Sequence, residues 1–314
     1  MKVLVTGGAG FIGSHLVEAL LKRKASVRVI DNFSTGKRRN IAHFIDKIEL
    51  IQGDISNLEV VKRAVKDVEI IYHQAALPSV PRSIKNPIST NHANITGTLN
   101  LLWQAKEKKI KWFIYASSSS IYGNTPTLPQ SEEMKAKPLS PYALTKYVGE
   151  EYCRLFYSLY GLKTICLRYF NVFGPNQDPV SPYAAVIPKF IKALLEDKPP
   201  IVFGDGTQSR DFTYVENVIQ TNLLAIEAEK TALGRSYNIS LGQRTSINEL
   251  ISTLNHILKK DIQPVYMFPR KGDIKHSLGD ITLARRYLKY DPQIGLEQGL
   301  RMTVQSMKKY LRKE

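Results

Sequence analysis

Two rhythms of apolar residues alternate along the first half of the chain. Short runs rich in β-branched and aromatic side chains recur at residues 2–6, 27–30, 48–52, 69–73, 112–116 and 164–168. Near-continuous and short, they read as strands buried on both faces. Between them apolar residues return at helical spacing. The first such set is Leu16, Val17, Leu20 and Leu21; others lie at 58–65, within about 91–109, and in a helix opening at Pro141. Strand–helix alternation predicts βαβ units, and so an α/β fold with a parallel sheet wound on both faces by helices. Such sheets bind ligands beyond the carboxyl ends of their strands. Asp31, Asp54, His73, the serines after Ala116 and Asn171 fall there. His73 alone reads as a packed strand-end residue rather than a catalyst. Beyond Arg168, Pro175, Pro179, Pro182, Pro188, Pro199 and Pro200 break the rhythm, which predicts a substrate-covering lobe rather than more sheet.

The first strand runs into Gly7-Gly8-Ala9-Gly10-Phe11-Ile12-Gly13 and then a helix. A strand, a tight glycine turn and a helix N-terminus make a pyrophosphate cradle from backbone N–H groups and the helix dipole. The second strand ends at Asp31, whose carboxylate can bind adenosine ribose hydroxyls and repel a 2′-phosphate. That favours NAD over NADP, with Lys37, Arg38 and Arg39 nearby weighing the other way.

Ser140-Pro141 reads as an N-cap followed by the first helical residue. Tyr142 and Lys146 then share one face of that helix, four residues apart. A phenolate at neutral pH needs tyrosine lowered by about 3 units, or about 4 kcal/mol. An ammonium about 4 Å away at an effective dielectric of about 20 supplies about that much. The spacing therefore predicts a base, with Lys146 depressing Tyr142. Ser117-Ser118-Ser119-Ser120 offers a hydroxyl to share its proton. Arg210 and Arg270, on separate turn-rich loops, suit a diphosphate, which takes bidentate donors from several sides, and equally suit exposed salt bridges.

The chain has 314 residues, 43% hydrophobic, enough for one large domain or two. Its formal charge of +16 is spread along the sequence without a nucleic-acid motif, and reads as a basic surface that helps attract a small dianion. No apolar run is long enough for a membrane span, and the start is unlike a secretory signal, so the cytoplasm is the expected location. Cys153 and Cys166 fit neither a disulfide framework nor a metal site.

Taken together the chain resembles the extended short-chain dehydrogenase/reductase family, in particular nucleotide-sugar 4-epimerases. The resemblance rests on T-G-G-x-G-F-I-G, Asp31-Asn32, Asp54-Ile55, A-S-S-S-S-I-Y-G ending at Gly123, the Tyr142/Lys146 pair, L-R-Y-F-N-V-F-G ending at Gly174, Gly204-Asp205-Gly206, Arg210-Asp211 and R-x-G-D ending at Asp273. It implies a Rossmann-like doubly wound parallel sheet with a smaller α/β substrate-binding C-terminal lobe. The NAD-binding domain would span 1–168, rejoined by about 211–240, and the lobe 169–210 and 241–314. It implies a tightly held NAD regenerated in each turnover, a UDP-sugar substrate and a homodimer formed through the helix within 91–109 and the one from Pro141. No nucleic acid or membrane partner is implied.

By position, Ser118, Tyr142 and Lys146 would be catalytic. Gly7, Gly10, Phe11, Ile12, Gly13, Asp31, Asn32, Ser34, Gly36, Asp54, Ile55, Ala75, Ala76, Asn94, Ser117 and Tyr169 would join Tyr142 and Lys146 around the cofactor. Ser79, Ser118, Ser119, Ser120, Tyr142, Asn171, Ala185, Val186, Phe203, Arg210, Arg270, Asp273 and Ser277 would face the substrate. Related dehydratases and decarboxylases carry acids where this chain has Ser119 and Ser120, so an epimerase is implied. Ser277, where epimerases restricted to plain hexoses often carry tyrosine, leaves room for a 2-acetamido group. The expected reaction is interconversion of UDP-N-acetylglucosamine and UDP-N-acetylgalactosamine. A UDP-glucose/galactose 4-epimerase is the alternative, then a UDP-glucuronate 4-epimerase. A non-catalytic NAD-sensing regulator is the alternative of another class, against which the intact Ser118, Tyr142 and Lys146 count.

Overall fold

The structure is a computed structural model that describes residues 1–179, 184–269 and 274–311. Seven parallel strands form the main sheet: β1 (Lys2–Thr6), β2 (Ser26–Asp31), β3 (Glu49–Gln52), β4 (Ile70–His73), β5 (Trp112–Ser118), β6 (Lys163–Tyr169) and, far later, a strand at Arg235–Ile239. The helices among them are α1 (Phe11–Lys22), α2 (Leu58–Ala64), α3 (Val80–Lys85), α4 (Pro87–Asn91), α5 (Gly97–Glu107) and α6 (Pro141–Tyr160). Then follow β7 (Val172–Phe173), α7 (Val186–Leu195), β8 (Ile201–Phe203), β9 (Ser209–Arg210), β10 (Thr213–Tyr214) and α8 (Val215–Ala225). The late strand is β11, and β12 (Thr245–Ser246), α9 (Ile247–Leu258), β13 (Val265–Met267), α10 (Thr282–Leu288) and α11 (Leu296–Leu311) complete the chain.

The sheet order is β3-β2-β1-β4-β5-β6-β11. It reverses direction of growth between β1 and β4, and a doubly wound sheet offers its ligand crevice at that switch. Thr6 sits level with Ile30 on one side and His73 on the other. Period-two alternation divides the core. Val3 and Val5 pack on one face with Leu16, Val17 and Leu20 of α1 and Val218 of α8, whereas Leu4 faces Val61, Leu101, Phe113 and Cys153 on the other.

The structure departs from the sequence expectation in two strands. β5 runs through Ser117 and Ser118, so those serines belong to a strand end, and only Ser119–Tyr122 forms a 3-10 turn. β11 pairs along β6 from Arg235↔Ile165 to Ile239↔Tyr169, within the 211–240 stretch that the resemblance returned to the first domain, although the prolines after Arg168 predicted no further sheet. The reason is distance in the chain: nothing local marks a strand that pairs with one about 70 residues earlier. In α6 the local signals hold. Ser140 Oγ accepts from Ala143 N at 3.2 Å, Pro141 follows, and Gly161 closes the helix at φ 70°.

Candidate active site

The switch between β1 and β4 opens into a cavity of about 670 Å³. Gly7, Gly10, Phe11, Ile12 and Gly13 line it from the first turn; Asp31, Asn32, Ser34, Asp54 and Ile55 from the next two strand ends; Ala75 and Ala76 from the fourth. Ser117, Tyr142, Lys146 and Tyr169 complete the wall, so most of the expected cofactor residues converge there. The turn requires its glycines. Gly7 has φ 67°, and a Cβ on it would lie 2.7 Å from the Ala75 backbone; one on Gly13 would lie 2.1 Å from the Gly7 carbonyl oxygen. The first intrahelical bond of α1 runs from Ser14 N to Gly10 O, which leaves the N–H groups ahead of it facing an incoming anion. A dinucleotide diphosphate fits this cradle.

Asp31 accepts from Ala9 N at 2.9 Å and from Phe33 N at 2.8 Å, and burial raises its carboxyl above the ordinary value against those bonds. A carboxylate keeps acceptor capacity beyond two such bonds. Two of the cations that weighed toward a 2′-phosphate, Lys37 and Arg38, are otherwise engaged. Lys37 stands 3.7 Å from Asp178, and Arg38 donates to Gln52 while lying over the Phe33 ring.

Two expected cofactor residues stand behind the wall. A Cβ on Gly36 would lie 2.8 Å from the Asp31 carboxylate, so this glycine lets the loop close over Asp31. Asn94 lies in a π-helical turn, His92–Thr96, and bonds Leu77 N, Leu77 O and Thr145 Oγ1. Both act on the site through the residues they hold. His73 is buried between Thr6 Oγ1 and Thr98 Oγ1, each at 2.8 Å, and burial, then Lys146, lower its pKa well below the usual histidine value. It is a neutral packed residue.

Tyr142 and Ser118 stand within hydrogen-bonding reach of one another. Lys146 donates to the Ala116 carbonyl at 2.7 Å and lies 5.0 Å from the centre of the Tyr115 ring. This corrects the expected electrostatics. Burial pushes the Tyr142 phenol above its ordinary value, with the Ser118 hydrogen bond working the other way. Burial also brings Lys146 down to about 8, against Cys153, Glu150 and Cys166. Desolvation, which helical spacing cannot register, acts on both groups and raises the phenol.

A second cavity of about 330 Å³ meets the first at Ala184 and Ala185. Asn171, Val186, Phe203 and Arg210 line it. Asn171 holds a positive φ of 33° and donates its amide to Asp211 O and Ser277 Oγ, both at 3.2 Å. Arg210 Nη1 donates to the carbonyls of Ser209 and Lys275. Asp211 is fully buried and accepts from the N–H groups of Leu241, Gly242 and Gly279; burial lifts its carboxyl to about 6 despite them. Ser79 lines the larger cavity and caps α3 from φ 97°, a strained position for a side chain. Ser118 Oγ also accepts from Ser120 N, so the 3-10 turn with Ser119 and Ser120 hangs from the same hydroxyl. Arg270 and Asp273 lie outside the described residues.

The sequence reading missed Arg82, His92, Gln177 and Asp178 in the larger cavity and Glu150 beneath it. Only Glu150 left a signal: Tyr142, Lys146 and Glu150 repeat at helical spacing along one face.

A model of the NAD dependent epimerase/dehydratase family matches residues 3–240. Among solved structures, UDP-glucose 4-epimerase from Thermotoga maritima with UDP-glucose is 38% identical, with a TM-score of 0.95 over 99% of this chain and 100% of that one. UDP-N-acetylglucosamine 4-epimerase from Methanobrevibacter ruminantium, in complex with UDP-N-acetylmuramic acid, is 41% identical, with a TM-score of 0.93 over 98% of both chains. UDP-glucuronic acid 4-epimerase from Bacillus cereus, in complex with UDP-glucuronic acid and NAD, is 37% identical, with a TM-score of 0.91 over 99% of this chain and 100% of that one.

Proposed function

The chain belongs to the NAD dependent epimerase/dehydratase family, and we propose that it is a UDP-sugar 4-epimerase whose substrate pair is UDP-N-acetylglucosamine and UDP-N-acetylgalactosamine. NAD, when bound, would supply the hydride acceptor and donor for C4 of the sugar. Tyr142, as the phenolate, takes the proton of the 4-hydroxyl as the ketone forms and gives it back after the sugar has turned about its link to the diphosphate. Ser118, within hydrogen-bonding reach of the Tyr142 phenol, orients the sugar oxygen and shares the proton in flight. Because burial holds the Tyr142 phenol above its ordinary value, its phenolate is a strong proton acceptor that needs positive charge around it to form. Lys146 supplies such a charge as an ammonium anchored on the Ala116 carbonyl. Asn171 and Arg210 give the second cavity the polar donors that a diphosphate needs.

The observation that carries the acetamido assignment is Ser277. It is buried, with its hydroxyl on Asn171, which lines the second cavity, and its small side chain supports reading this corner as room for the acetamido group. The test offers UDP-N-acetylglucosamine, UDP-N-acetylgalactosamine, UDP-glucose and UDP-glucuronate in parallel and follows C4 inversion by NMR. Turnover of the acetylated pair at the highest kcat/KM supports the reading; turnover of the plain or uronate sugars alone overturns it.

A further inference from the structure

Glu150 and Arg168 form a buried ion pair that the reaction as described does not use. Their side chains are 3% and 8% exposed, with Arg168 Nη2 2.7 Å and Nε 2.9 Å from the Glu150 carboxylate. Such a pair is a poor source of stability, because desolvating two charges cancels most of their attraction. Its connections point to another use. Ser117 Oγ donates to Glu150 Oε1 at 2.5 Å, and Ser236 Oγ donates to Oε2 at 2.9 Å. Arg168 also donates to Tyr122 Oη, which in turn donates to Asn238 Oδ1.

Three successive residues at the end of β5 are therefore tied to one face of α6. Ala116 O is held by Lys146, Ser117 by Glu150, and Ser118 is paired with Tyr142. The helix lies close enough that a Cβ on Gly149 would meet the Tyr115 hydroxyl at 2.1 Å. We propose that Glu150 is a positioning residue for the epimerisation: it pins the strand end so that Ser118 stays on Tyr142, and it supplies the counter-charge one helical turn from Lys146. The proposal rests on the assignment of Ser118, Tyr142 and Lys146 made above.

The surroundings of Lys146 leave that second part to Glu150. On α6 it faces Cys153, with Tyr142 one helical turn before it, from β4 His73, from β5 the Tyr115 ring, and from β6 Cys166, with Arg168 beyond the carboxylate. Burial keeps His73 neutral and pushes the Cys166 thiol up, so both stay uncharged at neutral pH. Glu150 is the carboxylate in that set.

Glu150→Gln keeps the shape and removes the charge. The expected result is a high-pH limb of kcat displaced by about one pH unit to lower pH, the order a charge at that distance supplies. At neutral pH kcat falls about tenfold with KM little changed, since ground-state binding is not what the carboxylate serves. Glu150→Asp restores the position of the limb. The same displacement is read directly on Lys146, with no substrate, from the pH at which acetic anhydride labels it, measured on its peptide by mass spectrometry. Should Glu150→Gln fail to fold because Arg168 is left bare, Glu150→Gln/Arg168→Met removes both charges and carries the same two readings. An unmoved labelling midpoint in a folded variant overturns the proposal, as does a rise in KM with kcat and its pH limb unchanged. A wild-type protein inert toward every UDP-sugar would instead sink the epimerase reading, and the labelling arm would still decide the part played by Glu150.

Discussion

Asn171 donates its side-chain amide to the hydroxyl of Ser277 at 3.2 Å, joining the end of the sheet to a segment 106 residues further along. The bond fixes a small polar side chain beside the second cavity, which Asn171 lines. Ser277→Tyr should lose activity on UDP-N-acetylglucosamine while keeping much of any activity on UDP-glucose. Steric exclusion discriminates more strongly than the about 1–3 kcal/mol of a missing methylene. The check is kcat/KM for both sugars, with bound NAD as the control for folding. A parallel fall of both activities, or none in the acetylated one, would remove Ser277 as the gate.

Tyr142→Phe should leave the fold and NAD content intact. It removes the group proposed to move the proton, a loss of about 10² to 10⁴ in rate. Single-turnover kinetics with UDP-N-acetylglucosamine measure it. A variant that keeps near-normal kcat would exclude Tyr142 as the base.

Lys146 should leave two opposite signatures in pH. Its ammonium releases its proton near pH 8 in the folded site, so kcat should decline as pH rises through that value. Stability runs the other way. The unfolded chain holds the lysine proton to about 10.4, so between about 8 and 10.4 the unfolded state binds more protons and rising pH favours the folded one. Chemical denaturation across that window should show wild type gaining on Lys146→Met, whose stability lacks this slope.

Gly13→Ala should empty the dinucleotide site. The added methyl would meet the Gly7 carbonyl at 2.1 Å, a backbone atom that cannot step aside without opening the turn. Overpacking of this kind costs about 1–3 kcal/mol. Acid-quenched wild-type protein should release NAD without any having been added, and the variant should release little.

A homodimer is proposed through α5 and α6. Trp103, Leu144, Leu155, Leu159 and Tyr160 stand exposed on these helices, Leu159 to 66%. Exposed apolar side chains concentrated on adjoining helices mark an interaction surface. Light scattering at micromolar concentration should give twice the chain mass, and Leu159→Glu should shift it toward the monomer. A monomeric wild type would end the proposal.

Sequence alone determined most of the frame, because the decisive signals are local. The β1 run, the glycine turn and the Ser140-Pro141 start of α6 each act within a few residues, through dihedral preference and capping. Helical spacing likewise sets Tyr142 and Lys146 on one face of α6. Tertiary structure decided what depends on distant partners. β11 is a strand because β6 lies beside it. Gly36 and Asn94 shape the site from behind because their neighbours come from Asp31 and from Leu77 and Thr145. Above all, burial moved Tyr142 up and Lys146 down, where spacing predicted a depressed phenol. Spacing along a helix encodes the distance between two groups, but the free energy of a charge depends on how much water the rest of the fold has removed from around it.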